Sequence, residues 1–252
     1  MINALPKQRI RDVAVWLNFP KLRGNLHRSI DAGLRTLLDY QRLAMLTAAL
    51  RATKELHGDV IEFGTFQGGS AGVMLQEMPS SKTLHICDSF EGMPDVAPED
   101  NFHQKGDFAA TSKETVESGL LKLGTNFTVH AGFFDKTIED LEHDRSLRFS
   151  FAHIDVDLYQ SVKDCLEFCY PRMVDGGIII LDDYGAPTCL GAKQAADEFF
   201  DSKPEKIVTL SQPAHGCVVG GGDIFDRLMP SSRFSKLSGM FKDQLFDRKP
   251  NG

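Results

Sequence analysis

Five short apolar runs punctuate the middle of the chain, at residues 60–63, 84–87, 127–130, 151–154 and 178–181. They are close to continuously apolar, the pattern of strands buried on both faces. Stretches with helical spacing follow them, at about 68–77, 112–123, 136–141, 161–170 and 191–201. Strands that alternate with helices specify a parallel sheet covered on both sides. Upstream, residues 39–56 place Leu43, Leu46, Leu50 and Thr53 on one face, an amphipathic helix leading into the first strand. Past Pro204 the pattern changes. Residues 206–210 and 217–220 lie close together around Gln212-Pro-Ala-His-Gly216, which predicts an antiparallel hairpin at the sheet edge. Phe234, Leu237, Met240, Phe241 and Leu245 predict a short helix in the tail. No repeat or low-complexity linker interrupts the 252 residues. One domain is expected over 1–252, with a helical extension at 1–57, a core at 58–222 and a tail at 223–252.

A hydrophobic content of 42% over this length is enough for a full core. No apolar run reaches the roughly 18 residues of a membrane span, and the first 20 residues do not read as a secretory signal. Cys87, Cys165, Cys169, Cys189 and Cys217 are odd in number and show no C-x-x-C spacing, which predicts buried free thiols and a cytoplasmic protein. The net charge of −7 is uneven: residues 1–35 carry +5 and residues 231–252 carry +3, so the body between is strongly acidic. An acidic body repels nucleic-acid phosphates, and that partner is excluded. Solvated termini are the default for the basic ends, and contact with an acidic membrane surface or an anionic substrate is the alternative. Trp16 and Phe19, beside basic residues, suit a partner subunit (a homo-oligomer through the N-terminal extension), lipid, or ordinary core packing.

Five carboxylates change the picture most. Asp88 closes one apolar run, Asp155 and Asp157 close another, and Asp182 and Asp183 a third. Ligands of an open parallel sheet bind outside the carboxyl ends of its strands, so these acids should converge on one crevice. Carboxylates so gathered repel one another unless a cation or a hydroxyl-bearing ligand stands between them. Asp155, Asp182 and Asp183 offer oxygen alone, a donor set for Mg²⁺, Ca²⁺ or Mn²⁺ rather than zinc. A helix or turn cap is the structural alternative for the Asp182–Asp183 pair, and Asp157 either faces the cofactor or caps the helix start at Tyr159-Gln-Ser161.

The first strand runs into Glu62-Phe-Gly64-Thr-Phe-Gln-Gly68-Gly69-Ser70 and then a helix. Glycines there permit close backbone approach, and the helix start offers N–H groups to an anion. Phe66 stands where the second glycine of a G-x-G-x-x-G fingerprint belongs, which weakens a nicotinamide cofactor. Asp88 suits a ribose diol, Glu62 a cationic ammonium, and the helix N–H groups a carboxylate. These are the parts of S-adenosylmethionine. Residues 91–113 are rich in Pro, Gly and Asp without periodicity, and a loop of that length reads as a lid or a disordered insertion. His215 is a candidate substrate contact or second base, against the plainer reading of a loop histidine without a role, and His85 and His153 are expected within the sheet.

Residues 37–220 resemble the macrocin-type (TylF/MycF/NovP) sugar O-methyltransferases of the class I S-adenosylmethionine-dependent enzymes. The resemblance rests on Val60-Ile-Glu62-Phe-Gly64-Thr-Phe-Gln-Gly68-Gly69, Asp88-Ser-Phe-Glu-Gly-Met-Pro94, His153-Ile-Asp155-Val-Asp157-Leu-Tyr159-Gln-Ser161 and Leu181-Asp182-Asp183-Tyr184. It implies a Rossmann-like α/β fold, with a mostly parallel seven-stranded sheet and an antiparallel edge hairpin. In the resemblance Gly64, Gly68 and Asp88 correspond to the cofactor site, and Glu62, Thr65, Ser70, Ser89, Gly132, Phe133 and Asp157 are expected to line it with them. Asp155, Asp182 and Asp183 correspond to Mg²⁺ (or Mn²⁺) ligands, and Asp155 also to the proposed base. The implied acceptor is a hydroxyl of a sugar, glycoside or similar small molecule. Such a hydroxyl is almost wholly protonated near neutral pH, so a cation that lowers its pKa and a carboxylate that takes its proton suit each other. Leu158 stands where a catechol-type enzyme would carry Lys, which favours an aliphatic hydroxyl. The competing readings are a metal-dependent phosphatase or nuclease, a non-catalytic cofactor-binding module, and a nicotinamide oxidoreductase.

Overall fold

Side chains alternate across a strand, so each apolar run feeds two cores at once. Val60, Ile86, Phe151, Ile178 and Ile180 face one layer, while Ile61, Phe63, Ile154, Ile179 and Leu181 face the other. The computed structural model describes residues 19–209 and 217–220. Its strands are β1 (Asp59–Phe63), β2 (Leu84–Asp88), β3 (Phe127–Ala131), β4 (Phe149–Ile154), β5 (Met173–Leu181), β6 (Ile207–Thr209) and β7 (Cys217–Gly220). They form one sheet in the order β3-β2-β1-β4-β5-β7-β6. The first five are parallel, and β7 runs antiparallel between β5 and β6. The chain steps outward from β1 to β2 and β3, then returns to the other side of β1 with β4. That reversal is the topological switch point, where such sheets bind ligands.

Helices α1 (Pro20–Asp31), α2 (Tyr40–Ala52), α3 (Gly69–Glu77) and α4 (Lys113–Leu121) cover the first face. Helices α5 (Phe134–Glu142), α6 (Tyr159–Cys169) and α7 (Leu190–Asp201) cover the second, around Phe63, Phe149 and Phe168. Helix α2 starts at Asp39, whose side chain accepts from the Arg42 N–H at 2.8 Å and so satisfies an otherwise orphan donor. Glu77, at the end of α3, ties the upstream helices down. It accepts two bonds from Arg51 of α2 at 2.9 and 2.8 Å, one from Asn25 of α1 at 2.6 Å and one from Lys21 at 2.9 Å. Burial alone pushes the Glu77 carboxyl up, but the guanidinium of Arg51 and the ammonium of Lys21 outweigh that and hold it below its ordinary value.

Cys87, Cys165, Cys169 and Cys189 are free and buried. His85 and His153 lie in β2 and β4, and Phe19 packs partly buried against the first core. No helix among the described residues is long and apolar enough to cross a membrane. Trp16, Cys217's side chain, the turn that carries His215, and the tail helix expected after Phe234 lie outside what is described.

Candidate active site

The parallel strands all end at one crevice of about 750 Å³. Its floor is the turn after β1. Gly64 has φ +80, and a Cβ there would stand 1.9 Å from the Asp155 carbonyl oxygen, so only glycine lets the ends of β1 and β4 meet. Gly68, at φ +76, precedes α3 in the left-handed region. A Cβ on the next residue, Gly69, would lie 2.4 Å from the Arg35 backbone carbon, because residues 35 and 68 pair as an isolated parallel bridge. The Gly69 N–H accordingly donates to the Arg35 carbonyl at 2.8 Å. The paired glycines serve chain-to-chain packing, and one helix-start N–H expected to be free for an anion is already bonded.

Asp88 closes β2 against this turn. One carboxylate oxygen accepts from the Thr65 and Phe66 N–H groups at 2.7 and 3.0 Å, and the other from Phe90 at 2.8 Å. Burial raises its carboxyl above the ordinary value, against the three N–H donors that favour the ionised form. Thr65, Ser70, Ser89, Gly132 and Phe133 border the crevice with Asp88 and Gly64, whereas Gly68 does not.

Glu62 is fully buried in β1 beneath the crevice; its Oε1 lies 3.0 Å from His153 Nδ1, and its Oε2 has no hydrogen-bond partner among the described residues. The two residues are register partners across β1 and β4. His153 Nε2 in turn lies 3.9 Å from Asp182 Oδ1.

Asp155, Asp182 and Asp183 come together at the ends of β4 and β5, each offering an oxygen within 4.8 Å of the others. Asp155 and Asp183 border the crevice, while Asp182 sits behind them. The sequence reading missed their cation. Arg42, from the first turn of α2, donates from Nε to Asp182 Oδ1 at 3.0 Å, and its Nη2 lies against the other oxygen of that carboxylate. The same Nη2 is 4.0 Å from Asp155 and 3.9 Å from Asp183. One guanidinium against three carboxylates leaves an excess of negative charge. Burial, then the Asp183 charge, push the Asp155 carboxyl well above its ordinary range. Asp183 Oδ2 is buried without a hydrogen-bond partner among the described residues. Oxygen-only donors, surplus negative charge and an orphaned buried oxygen together fit a hard divalent cation.

Asp157 does not cap α6, and its side chain adjoins that of Asp183. The Tyr159 N–H at that helix start is taken by both Asp100 oxygens at 3.0 Å. Asp157, in the left-handed region at φ +58, accepts instead from the Cys189 thiol at 3.3 Å. Its carboxyl is also pushed well above its ordinary range, by burial and then by Asp183. Asp100 belongs to the 91–112 loop, which contains neither helix nor strand yet folds over the crevice through named contacts. Met93 N–H donates to the Asp107 carbonyl at 2.8 Å, and Phe108 packs edge-on to Phe66 at 5.9 Å between ring centres.

A parallel sheet with this strand order and an antiparallel penultimate strand, its crevice carrying an acid at the end of β2, is the class I methyltransferase fold. Residues 31–206 match the family model described as Macrocin-O-methyltransferase (TylF), and the chain belongs to that family. It is similar to the demethyldecarbamoylnovobiocin O-methyltransferase of Streptomyces niveus, with 28% identity over 203 residues covering 73% of this chain and 75% of that protein. It is also similar to the mycinamicin III 3''-O-methyltransferase of Micromonospora griseorubida, with 29% identity over 160 residues covering 57% of this chain and 61% of the relative, just under two thirds of its length. Among solved structures, the calicheamicin methyltransferase CalS11 superposes with a TM-score of 0.65 at 21% identity, covering 86% of this chain and 92% of that one.

Proposed function

We propose that this chain is an S-adenosylmethionine-dependent O-methyltransferase that acts on a hydroxyl of a sugar or glycoside and works with a divalent hard cation. The observation that carries the reading is the pairing, in one crevice, of the Asp88-braced glycine turn with the Asp155–Asp182–Asp183 cluster. The first fits a nucleoside ligand and the second a cation, and both family relatives above are named O-methyltransferases. The sugar character of the acceptor rests on those names and on the family. A phosphatase or nuclease would need the carboxylates alone and would leave the Asp88 turn without a role.

When bound, S-adenosylmethionine supplies an electrophilic methyl group on sulfur. Asp88 would receive the ribose hydroxyls, with Gly64 and Thr65 letting the ligand lie close on the backbone and Gly132 and Phe133 bounding it. Asp155, Asp182 and Asp183 would hold the Mg²⁺ or Mn²⁺, which would lower the pKa of a hydroxyl beside it. Asp155, beside that hydroxyl, would accept its proton. The methyl group would pass from sulfur to that oxygen, its carbon–sulfur bond giving way to a carbon–oxygen bond, with S-adenosylhomocysteine and a methyl ether as products. The 91–112 loop excludes water from that exchange. The free buried thiols suit a reducing cytoplasmic setting.

Isothermal titration with S-adenosylmethionine, S-adenosylhomocysteine and NAD⁺, each with and without Mg²⁺, tests the reading. Binding of the first two and not the third is expected. Methyl transfer to a panel of glycosides should then require Mg²⁺ or Mn²⁺ and be lost in Asp155→Asn without rescue by added metal. Failure to bind S-adenosylhomocysteine would overturn the reading as a whole, and full activity in EDTA would overturn the metal.

A further inference from the structure

A second group of ligating side chains borders the crevice, and the proposed methyl transfer does not use it. His103 comes from the 91–112 loop, Asp157 follows β4, and Cys189 immediately precedes α7. The Cys189 Sγ is 3.3 Å from Asp157 Oδ1 and 3.5 Å from His103 Nε2, and that Nε2 is 3.9 Å from the same Asp157 oxygen. A tetrahedral zinc ion, with Zn–S near 2.3 Å and Zn–N and Zn–O near 2.0–2.1 Å, sets its donors about 3.6 Å apart for the sulfur pairs and about 3.4 Å apart for N and O. The three separations found here fall within about 0.5 Å of that figure.

The surroundings fit the same chemistry. The other ring nitrogen of His103, Nδ1, faces the Asp107 carboxylate at 3.6 Å, the outer carboxylate that orients a metal-bound histidine. The His103 side chain is 8% exposed and Cys189 3%, so the donors are held rather than splayed in solvent. All three residues border the crevice, which leaves a fourth coordination position open towards it. The donors also differ in kind from the neighbouring cluster. Asp155, Asp182 and Asp183 present oxygen only, whereas a thiolate and an imidazole select a softer ion.

We propose that His103, Asp157 and Cys189 form a second cation site, selective for a thiophilic divalent ion of the Zn²⁺ type. On binding, the Cys189 thiol gives its proton to solvent and ligates as thiolate, with no change of oxidation state. Because His103 lies on the loop and the other two ligands on the body, occupancy pins the loop across the crevice. The site stands independently of the methyl-transfer reading.

The test uses the full chain, stripped with chelator and titrated with Co²⁺ as a spectroscopic probe. Expected are a thiolate-to-cobalt charge-transfer band, the intense visible bands of tetrahedral Co²⁺, and loss of both when Zn²⁺ is added. Cys189→Ser should abolish the charge-transfer band, His103→Gln should weaken Co²⁺ binding at least tenfold, and Asp183→Asn should leave the band in place. Zn²⁺ should slow proteolysis within 91–112 in the wild type and not in His103→Gln. Absence of the band, its survival in Cys189→Ser, or its loss in Asp183→Asn would each overturn the proposal. Should Cys189→Ser fail to fold, unchanged Co²⁺ affinity in His103→Gln overturns it alone.

Discussion

Arg42 is the one Lys or Arg side chain among the described residues that is ion-paired with the three carboxylates, and replacing it with methionine should expose how that cluster is balanced. Its side chain is 15% exposed, and those of Asp155, Asp182 and Asp183 are 20, 3 and 11% exposed, so solvent screens them little. At an effective dielectric constant of about 20, unit charges 4 Å apart interact by about 4 kcal/mol. Arg42 stands at 4.0 and 3.9 Å from Asp155 and Asp183 and is bonded to Asp182 directly. Arg42→Met removes all three attractions and leaves the repulsion among the acids. Desolvation of the guanidinium offsets part of the gross attraction, and protonation of Asp155, whose carboxyl is already pushed up, relieves part of the repulsion. The loss of one partner of a buried pair then costs about 3–5 kcal/mol. For a chain of this size each kcal/mol lowers Tm by about 2–4 °C, so a drop of about 6–20 °C is expected in chelator. Mg²⁺ should restore more of Tm in the variant than in the wild type, since it supplies the missing positive charge. Differential scanning fluorimetry in EDTA and across a Mg²⁺ titration reads both effects. An unchanged Tm in EDTA would refute the charge balance, and equal Mg²⁺ shifts in the two proteins would refute a shared cation site.

Other expectations follow from single contacts. Asp88→Ala should weaken S-adenosylhomocysteine binding by roughly 10- to 150-fold, the worth of charge-assisted hydrogen bonds, and also lower Tm because three backbone N–H groups lose their acceptor; titration calorimetry with unchanged affinity in a folded variant removes Asp88 from the site. Limited proteolysis within 91–112 should slow when S-adenosylhomocysteine is added, and equal cleavage with and without it sinks the lid. Glu77→Gln should cost about 2 kcal/mol, or about 4–8 °C in Tm, because Arg51 loses its bidentate partner. Arg51 and Lys21 depress the Glu77 carboxyl in the folded chain, so its contribution is present above the unfolded value near 4.3 and fades as pH falls through the lower folded value. The Tm gap between wild type and Glu77→Gln should therefore narrow below about pH 4, and a gap constant with pH counts against the ion pair.

The fold was legible wherever apolar continuity was local. β1 to β4 start within two residues of the runs read from sequence, and each ends within one. β5 begins five residues earlier than its run, because Asp175 and the two glycines after it break the apolar pattern while the strand continues through an irregular register. Helix α1 was not located, and its buried face explains why. It sets Asn25 and Ser29 beside Leu22 and Leu26, so half of that stripe is polar. Asn25 is tolerated there because Glu77, 52 residues on, accepts its amide. Such a partner leaves no trace in local periodicity.

The site divides along the same line. An acid that ends an apolar strand is a local signal, and Asp88, Asp155 and Asp183 do border the crevice. Arg42 meets Asp182 across 140 residues, and nothing in a helix reading marks one arginine among its polar positions as inward-facing. Glu62 was different, since a signal existed. Glu62 stands two residues before Gly64 in β1, and His153 two before Asp155 in β4. In neighbouring parallel strands whose ends meet, equal offsets mean side-by-side residues, as the register shows. The imidazole at its side meets Oε1 of that buried carboxylate and leaves Oε2 without a hydrogen-bond partner among the described residues. The same arithmetic places His153 beside Ile180, two residues before Asp182. Beneath the crevice Glu62 and Asp182 thus flank His153 at 3.0 and 3.9 Å, and Arg42 bonds Asp182 from the first turn of α2. That guanidinium offsets part of the cost of burying the Asp182 carboxylate beneath the two acids that border the crevice.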